Sequence, residues 1–196
     1  MKKLILLLTM VSLPSFASVS ANVSFASDYI WRGMTQSDGP AVQGGFDYAS
    51  DGGFYAGLWG SNVNFNDGAG SELDLYFGYG FEVGGVGVDI GYIEYRYPEN
   101  DSDLDFEEIY VGLSMGDLGL TYASGVDGAP DYTEVSYGIG PVGVSFGQYD
   151  DYGDNYGISY WFSCGSYDCA LTYSDFSDDG YGADEDAFVF SVSASL

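Results

Sequence analysis

The chain has no histidine, and two of its four basic residues, Lys2 and Lys3, stand at the extreme N-terminus. Without histidine, the Ser-His-Asp and Cys-His arrangements, histidine-ligated metals and the commonest general base are all missing, so hydrolytic chemistry built on them is excluded. Beyond residue 3, only Arg32 and Arg96 stand against 30 acidic residues, which leaves no basic surface for a nucleic acid. Long hydrophobic runs are missing too. Leu4 to Leu13 falls short of the roughly 18 apolar residues that a membrane-spanning helix needs. Cysteine is scarce. Cys164 and Cys169 flank a Gly-Ser turn in SCGSYDC, and an even count at hairpin spacing favours a disulfide over two unrelated small hydrophobes.

Met1-Lys2-Lys3, the apolar run, Pro14 and small residues at Ala17 and Ala21 form the pattern of a secretory signal peptide. Cleavage after Ala17 is favoured, because a cut after Ala21 would remove the start of an alternating strand. Residues 1–17 are then the signal and 18–196 a single domain. An excess of acid often marks disorder, yet 46% hydrophobic and 18% aromatic residues place this chain among folded proteins.

The most informative stretch is Ser71 to Val83, SELDLYFGYGFEV. Leu73, Leu75, Phe77, Tyr79, Phe81 and Val83 alternate with Glu72, Asp74, Tyr76, Gly78, Gly80 and Glu82, which is a strand with one apolar and one acidic face. Twelve segments carry this signature and no helical pattern is visible: Val19 to Gly33, Pro40 to Ala49, Phe54 to Phe65, Glu72 to Val83, Val86 to Tyr97, Leu104 to Ser114, Leu118 to Ser124, Tyr132 to Ile139, Val142 to Tyr149, Tyr156 to Ser163, Asp168 to Tyr173 and Ala187 to Leu196. Tight Gly-containing connections such as Gly84-Gly85 and Gly140-Pro141 alternate with longer acidic ones such as Asp150 to Asn155 and Ser174 to Asp186. Up-and-down order then puts all long loops at one end. The fold class this predicts is all-β: a single antiparallel up-and-down transmembrane β-barrel of about 12 strands, with short periplasmic turns and longer acidic extracellular loops.

Parity assigns Val23, Phe25, Tyr29 and Trp31 to the lipid face of the first strand, and Phe188, Phe190, Val192, Ala194 and Leu196 to that of the last. Tyr29, Trp31, Tyr97, Phe106, Tyr132, Tyr149 and Tyr156 at loop-side ends, with Tyr48, Tyr55, Phe81 and Phe162 at turn-side ends, suggest two interfacial girdles. Two places disturb the pattern. Phe54, Tyr55, Leu58 and Trp59 fall on both parities, which suggests a bulge. Glu94 and Arg96 share the lipid-facing parity, where they are tolerable as a pair at the rim.

The opposite parity collects an acidic interior: Asp28, Arg32, Gln43, Asp47, Glu72, Asp74, Tyr76, Glu82, Asp89, Glu108 and Glu134. Such a lining concentrates cations and repels anions, the charge-ring form of selectivity. The competing reading is a merely solvated lining with Arg32 and Asp28 as a buried pair bracing the first strand. Acidic loops at Asn100 to Asp103 and Asp150 to Asp154 match neither an EF-hand nor a β-roll repeat. A solvated rim sharing divalent cations with lipopolysaccharide accounts for them, and neither a cofactor nor a resident metal is expected.

Ser27 to Phe65, SDYIWRGMTQSDGPAVQGGFDYASDGGFYAGLWGSNVNF, with SELDLYFGYGFEV and VGVDIGYIEYRYP after it, closely resembles the TorF family of porins. The match is specific from Ser27 to Pro98 and rests on strand pattern beyond. It implies a barrel in the bacterial outer membrane, names no substrate and carries over no catalytic residue. Outer-membrane barrels usually end on an aromatic residue read by the assembly machinery; this chain ends on Leu196. The expected function is a non-enzymatic porin passing small solutes, with cations preferred. The alternative is a non-conducting structural or adhesive barrel whose acidic loops bind a partner or divalent cations. The expected partners are the bilayer and its lipopolysaccharide, small solutes or cations, and the assembly machinery through the last strand.

Overall fold

The structure, a computed structural model, describes residues 17–66, 68–99, 104–180 and 182–196. Residues 1–16, with most of the expected signal, and loop residues 100–103 lie outside the described residues. The strands in order are β1 (Ser18–Ala26), β2 (Ile30–Trp31), β3 (Met34–Thr35), β4 (Ala41–Ala49), β5 (Phe54–Asn62), β6 (Ser71–Val83), β7 (Val86–Arg96), β8 (Phe106–Met115), β9 (Leu118–Gly125), β10 (Tyr132–Ile139), β11 (Val142–Tyr149), β12 (Gly153–Cys164), β13 (Tyr167–Asp178) and β14 (Glu185–Ser195). Twelve of them, β1 and β4 to β14, make one closed antiparallel barrel in up-and-down order. Closure is made by β1, which pairs with β4 from Ser18 to Ala26 and with β14 from Asn22 to Ala26. Among the described residues no helix is long and apolar enough to cross a membrane, which says nothing of strands.

The alternation of β6 is reproduced residue by residue. Leu73, Leu75, Phe77, Tyr79 and Phe81 are exposed on the outer face, while Glu72 and Asp74 are buried inside. The same holds around the ring. Val23, Phe25, Phe46, Ile90, Ile109, Leu120, Val135, Phe146, Ile158, Leu171 and Phe190 all lie exposed outside. Among the described residues nothing packs over this outer face, so its apolar character is not explained by packing within the chain. At the Gly84-Gly85 turn both residues have positive φ, 61° and 83°, the backbone that a two-residue hairpin linking right-twisted strands requires.

Four expectations need correction. The first strand stops at Ala26 rather than Gly33, and residues 27–40 form a connection whose β2–β3 pair stands apart from the barrel sheet. No bulge is needed in β5, which pairs residue for residue with β4 and β6. Its large residues divide instead, Phe54 and Leu58 outside with Tyr55 buried inside, because Gly78 across the sheet leaves room for the Tyr55 ring. The loops at Asp150 to Asn155 and Ser174 to Asp186 shrink to residues 150–152 and 179–184, since alternation continues with Ser174 and Phe176 buried inward while Asp175 pairs across to Asp186. Lastly, Tyr29, Tyr55, Tyr97, Tyr132 and Tyr149 are buried in the interior, not at an interface with lipid. Tyr48, Phe81 and Tyr156 do lie outside.

Glu94 and Arg96 form an ion pair at the loop-side rim. Cys164 and Cys169 are joined across the β12–β13 turn with Cα atoms 6.0 Å apart.

Strand β4 passes very close to its neighbours at Gly44 and Gly45. A Cβ on Gly45 would meet the backbone carbonyl oxygen of Leu58, which cannot swing aside as a side chain can. Gly45→Ala is therefore expected to cost about 1–3 kcal/mol through overpacking. The check is the temperature at which the folded barrel loses its anomalous gel mobility; an unchanged midpoint would contradict this close approach.

Candidate functional site

The connection 27–40 folds into the barrel. At its tip Arg32 (φ 49°) and Gly33 (φ 90°) make the turn joining β2 to β3, the left-handed pair that a tight hairpin needs. Gly33 suits this position. Arg32 does not, since an L side chain with positive φ costs about 1 kcal/mol or more. Asp28 braces the base of the hairpin by accepting from Thr35 Oγ1 at 2.8 Å and Ser37 Oγ at 3.0 Å. The Gln36 amide donates to the Tyr29 carbonyl at 2.7 Å.

Arg32 is the centre of the interior. Its two terminal nitrogens donate to the two oxygens of Glu108 on β8, each at 2.7 Å. Their side chains are only 8% and 2% exposed. The guanidinium carbon lies 4.2 Å from the ring centroid of Trp31, 4.1 Å from Tyr132 and 4.8 Å from Tyr149. Trp31 is itself wedged edge-on against Tyr95, Phe106 and Tyr149. A fork-on-fork pair between aromatic faces is the strongest pairing open to a desolvated arginine, and it offsets the strained turn. The Arg32–Asp28 pair of the competing reading is not formed: Arg32 pairs with Glu108, and Asp28 is engaged by the hydroxyls of its own loop.

Other contacts hold the hairpin on several sides. The Tyr29 hydroxyl donates to Glu72 on β6 at 2.9 Å, and the Thr35 amide to Glu185 on β14 at 2.7 Å. Gly33 lies against Asn155 and Phe176, where any Cβ would collide. Trp59, Tyr95, Tyr97 and Phe106 pack with the hairpin residues Tyr29 and Trp31 in the loop-side half of the barrel.

The remaining sequence candidates lie on the inner wall. The Tyr55 hydroxyl donates to Asp89 at 2.7 Å and lies 2.5 Å from that of Tyr110. Asp47 accepts from the Tyr76 hydroxyl and from Asn22. Glu134 accepts from the Tyr132 hydroxyl at 2.9 Å, and Gln43 from Ser24 at 3.4 Å. Asp74 is buried two residues from Glu72 on the same face of β6. Glu82 lies exposed near the turn-side end. Tyrosine hydroxyls thus serve several of the interior carboxylates, which an unpaired burial would penalise by several kcal/mol. On the rim, the Tyr122 hydroxyl, with the Gly125 amide and Ser124 hydroxyl, holds the Asp131 carboxyl below its usual range. Among the described residues no group of three or more His, Cys, Asp or Glu is placed to hold a metal ion.

Sequence reasoning gathered the wall acids but missed Tyr29, Trp31, Tyr95 and Glu185 as interior groups. The available signal was Arg-Gly between Ile-Trp and Met-Thr, a two-residue hairpin turn flanked by β-formers.

Glu108→Gln leaves Arg32 buried without a counter-charge and should lower stability by about 3–5 kcal/mol, whereas Arg32→Met with Glu108→Gln together should recover much of that loss. The measurement is the denaturant midpoint of the detergent-folded barrel for both variants. A double variant no more stable than the single one would show that the ion pair does not hold the hairpin.

Comparison with solved structures finds similarity to the KdgM porin, with a TM-score of 0.60 at 10% sequence identity over 90% of this chain and 98% of that one. At that identity the likeness shows the fold alone. Weaker similarities are to Acinetobacter baumannii OccAB4 (TM-score 0.39, 12% identity, 88% of this chain and 56% of that one) and to a BenF-like porin from Pseudomonas fluorescens Pf-5 (0.35, 13%, 87% and 58%). No curated protein sequence matches. The TorF designation rests on the sequence resemblance alone; what is matched, over residues 13–177, is the family described as "Bacterial protein of unknown function (Gcw_chp)". The chain belongs to that bacterial family.

Proposed function

We propose that the protein is a porin-like channel of the bacterial outer membrane, non-enzymatic, through which small solutes diffuse passively and cations are favoured. The observation that carries this reading is the opposition of the two faces of one closed sheet: an exposed apolar belt outside and carboxylates, arginine and tyrosine inside. Lipid is the solvent that suits the first, and water or a hydrated solute the second. Asp47 and Asp89, half-buried on the wall below the hairpin, supply negative potential along the path. The hairpin restricts that path, so long polymers and folded proteins would not pass. In this reading the exposed Phe188, Phe190 and Leu196 of the last strand face lipid and the assembly machinery, and the acidic rim shares divalent cations with lipopolysaccharide.

A non-conducting barrel is the second reading, and the hairpin packed across the loop-side half favours it. Planar-bilayer recording of the refolded chain under a potassium chloride gradient separates the two. The channel reading expects a stable conductance with a reversal potential on the cation-selective side, and Asp47→Asn with Asp89→Asn should move that potential towards zero. Silence from correctly folded protein would sink it. Replacing residues 28–39 with a short Gly-Ser linker should raise the conductance several-fold, because β1 and β4 remain paired up to Ala26 and Ala41 without the hairpin. An unchanged conductance would mean that the hairpin does not set the width of the path.

A further inference from the structure

The pocket that Arg32 fills is built largely from the barrel wall, while Arg32 itself is not part of that wall. Glu108 on β8 offers both carboxylate oxygens, and Tyr132 on β10 and Tyr149 on β11 present their rings to the guanidinium. These groups are held by the wall. Tyr132 is tied to Glu134 and to Asn155, and Tyr95, whose hydroxyl lies 3.4 Å from Glu108, is stacked on Phe106 at 4.3 Å. The occupant, by contrast, arrives on a hairpin whose strands pair with each other and with no barrel strand. The barrel closes beneath it through β1, β4 and β14. Withdrawal of the hairpin would break no ladder of the barrel. It would leave open a carboxylate fork between aromatic faces.

We infer that this wall pocket is a recognition site for a small solute carrying a guanidinium group, and that Arg32 is the chain's own occupant, which such a solute displaces. The proposal rests on the reading of the barrel interior as a solute path. The ligand class follows from the fit: a planar guanidinium engages both oxygens of one carboxylate and lies against rings at once, whereas an ammonium is a compact point charge that does neither well. A tethered Arg32 competes at the high effective concentration of an intramolecular group, so the free solute binds the native chain more weakly than a chain without that arginine.

The test uses the full mature chain folded in detergent, with methylguanidinium chloride as the probe and methylammonium chloride at equal ionic strength as the control. Binding is read from intrinsic tryptophan fluorescence, since Trp31 borders the pocket. R32A should respond to methylguanidinium at a concentration about tenfold or more below that needed for methylammonium, and below that needed by the native chain. R32A combined with E108Q should lose the discrimination. Equal responses of R32A to the two cations, or discrimination that survives E108Q, would overturn the assignment. Should R32A refold poorly alone, its refolding yield in the two salts reads the same preference, and equal yields would overturn it equally. Bilayer recordings on the same samples separate the two claims. Discrimination without conductance keeps the pocket and removes the channel; conductance without discrimination keeps the channel and removes the pocket.

Discussion

Closure of the sheet is the constraint on which everything else depends. An open twelve-stranded sheet would expose two rows of unpaired amides and carbonyls and invite pairing with another chain. Here β1 satisfies both edges at once, β4 on one side and β14 on the other. The contacts reach the chain terminus, where the Leu196 amide donates to the Ala21 carbonyl at 2.8 Å. Once the ring is closed, the two-residue period of every strand becomes a division of space into outside and inside, and each side chain is committed to one or the other.

That commitment creates the problem the interior solves. Acids placed on the inner parity of β4, β6, β7, β8 and β10 are costly to leave unpaired where aromatic rings exclude water. The chain offsets much of this cost with tyrosine, whose ring fills space and whose hydroxyl donates. Tyr55 serves Asp89, Tyr76 serves Asp47, Tyr29 serves Glu72 and Tyr132 serves Glu134. Glycine on neighbouring strands makes room for the rings: Gly78 faces Tyr55 and Gly57 faces Tyr76. Charge, ring and gap form one device.

Glu108 differs, accepting from the Tyr95 hydroxyl at 3.4 Å but chiefly from Arg32 at 2.7 Å. Its carboxylate is the most deeply buried of the interior acids and is neutralised by a cation from outside the wall. The 27–40 connection therefore has two roles: it supplies the interior's one positive charge among the described residues and it occupies the loop-side half of the barrel. A strained backbone at Arg32 is retained because the side chain it carries meets both a carboxylate and a set of rings. In the channel reading, the same contact decides how much of the path is open.

Strand number, strand faces, hairpin turns and the acidic character of the inner face were all legible in the sequence. Each is a local property: alternation is read within ten residues, and Gly84-Gly85 announces its turn without reference to anything distant. The structure extends β12 and β13 beyond their expected ends. The tertiary structure alone decided that β1 ends at Ala26, that Tyr29 and Trp31 point into the barrel rather than to lipid, and that Arg32 meets Glu108, 76 residues away, instead of Asp28. Alternation alone does not distinguish a strand that continues from a hairpin that folds back; the Arg32-Gly33 turn signal marks the hairpin but not the side of the sheet to which it folds. Which carboxylate a side chain reaches across a barrel is set by closure, register and the space its neighbours leave, and none of these is written in any short stretch of chain.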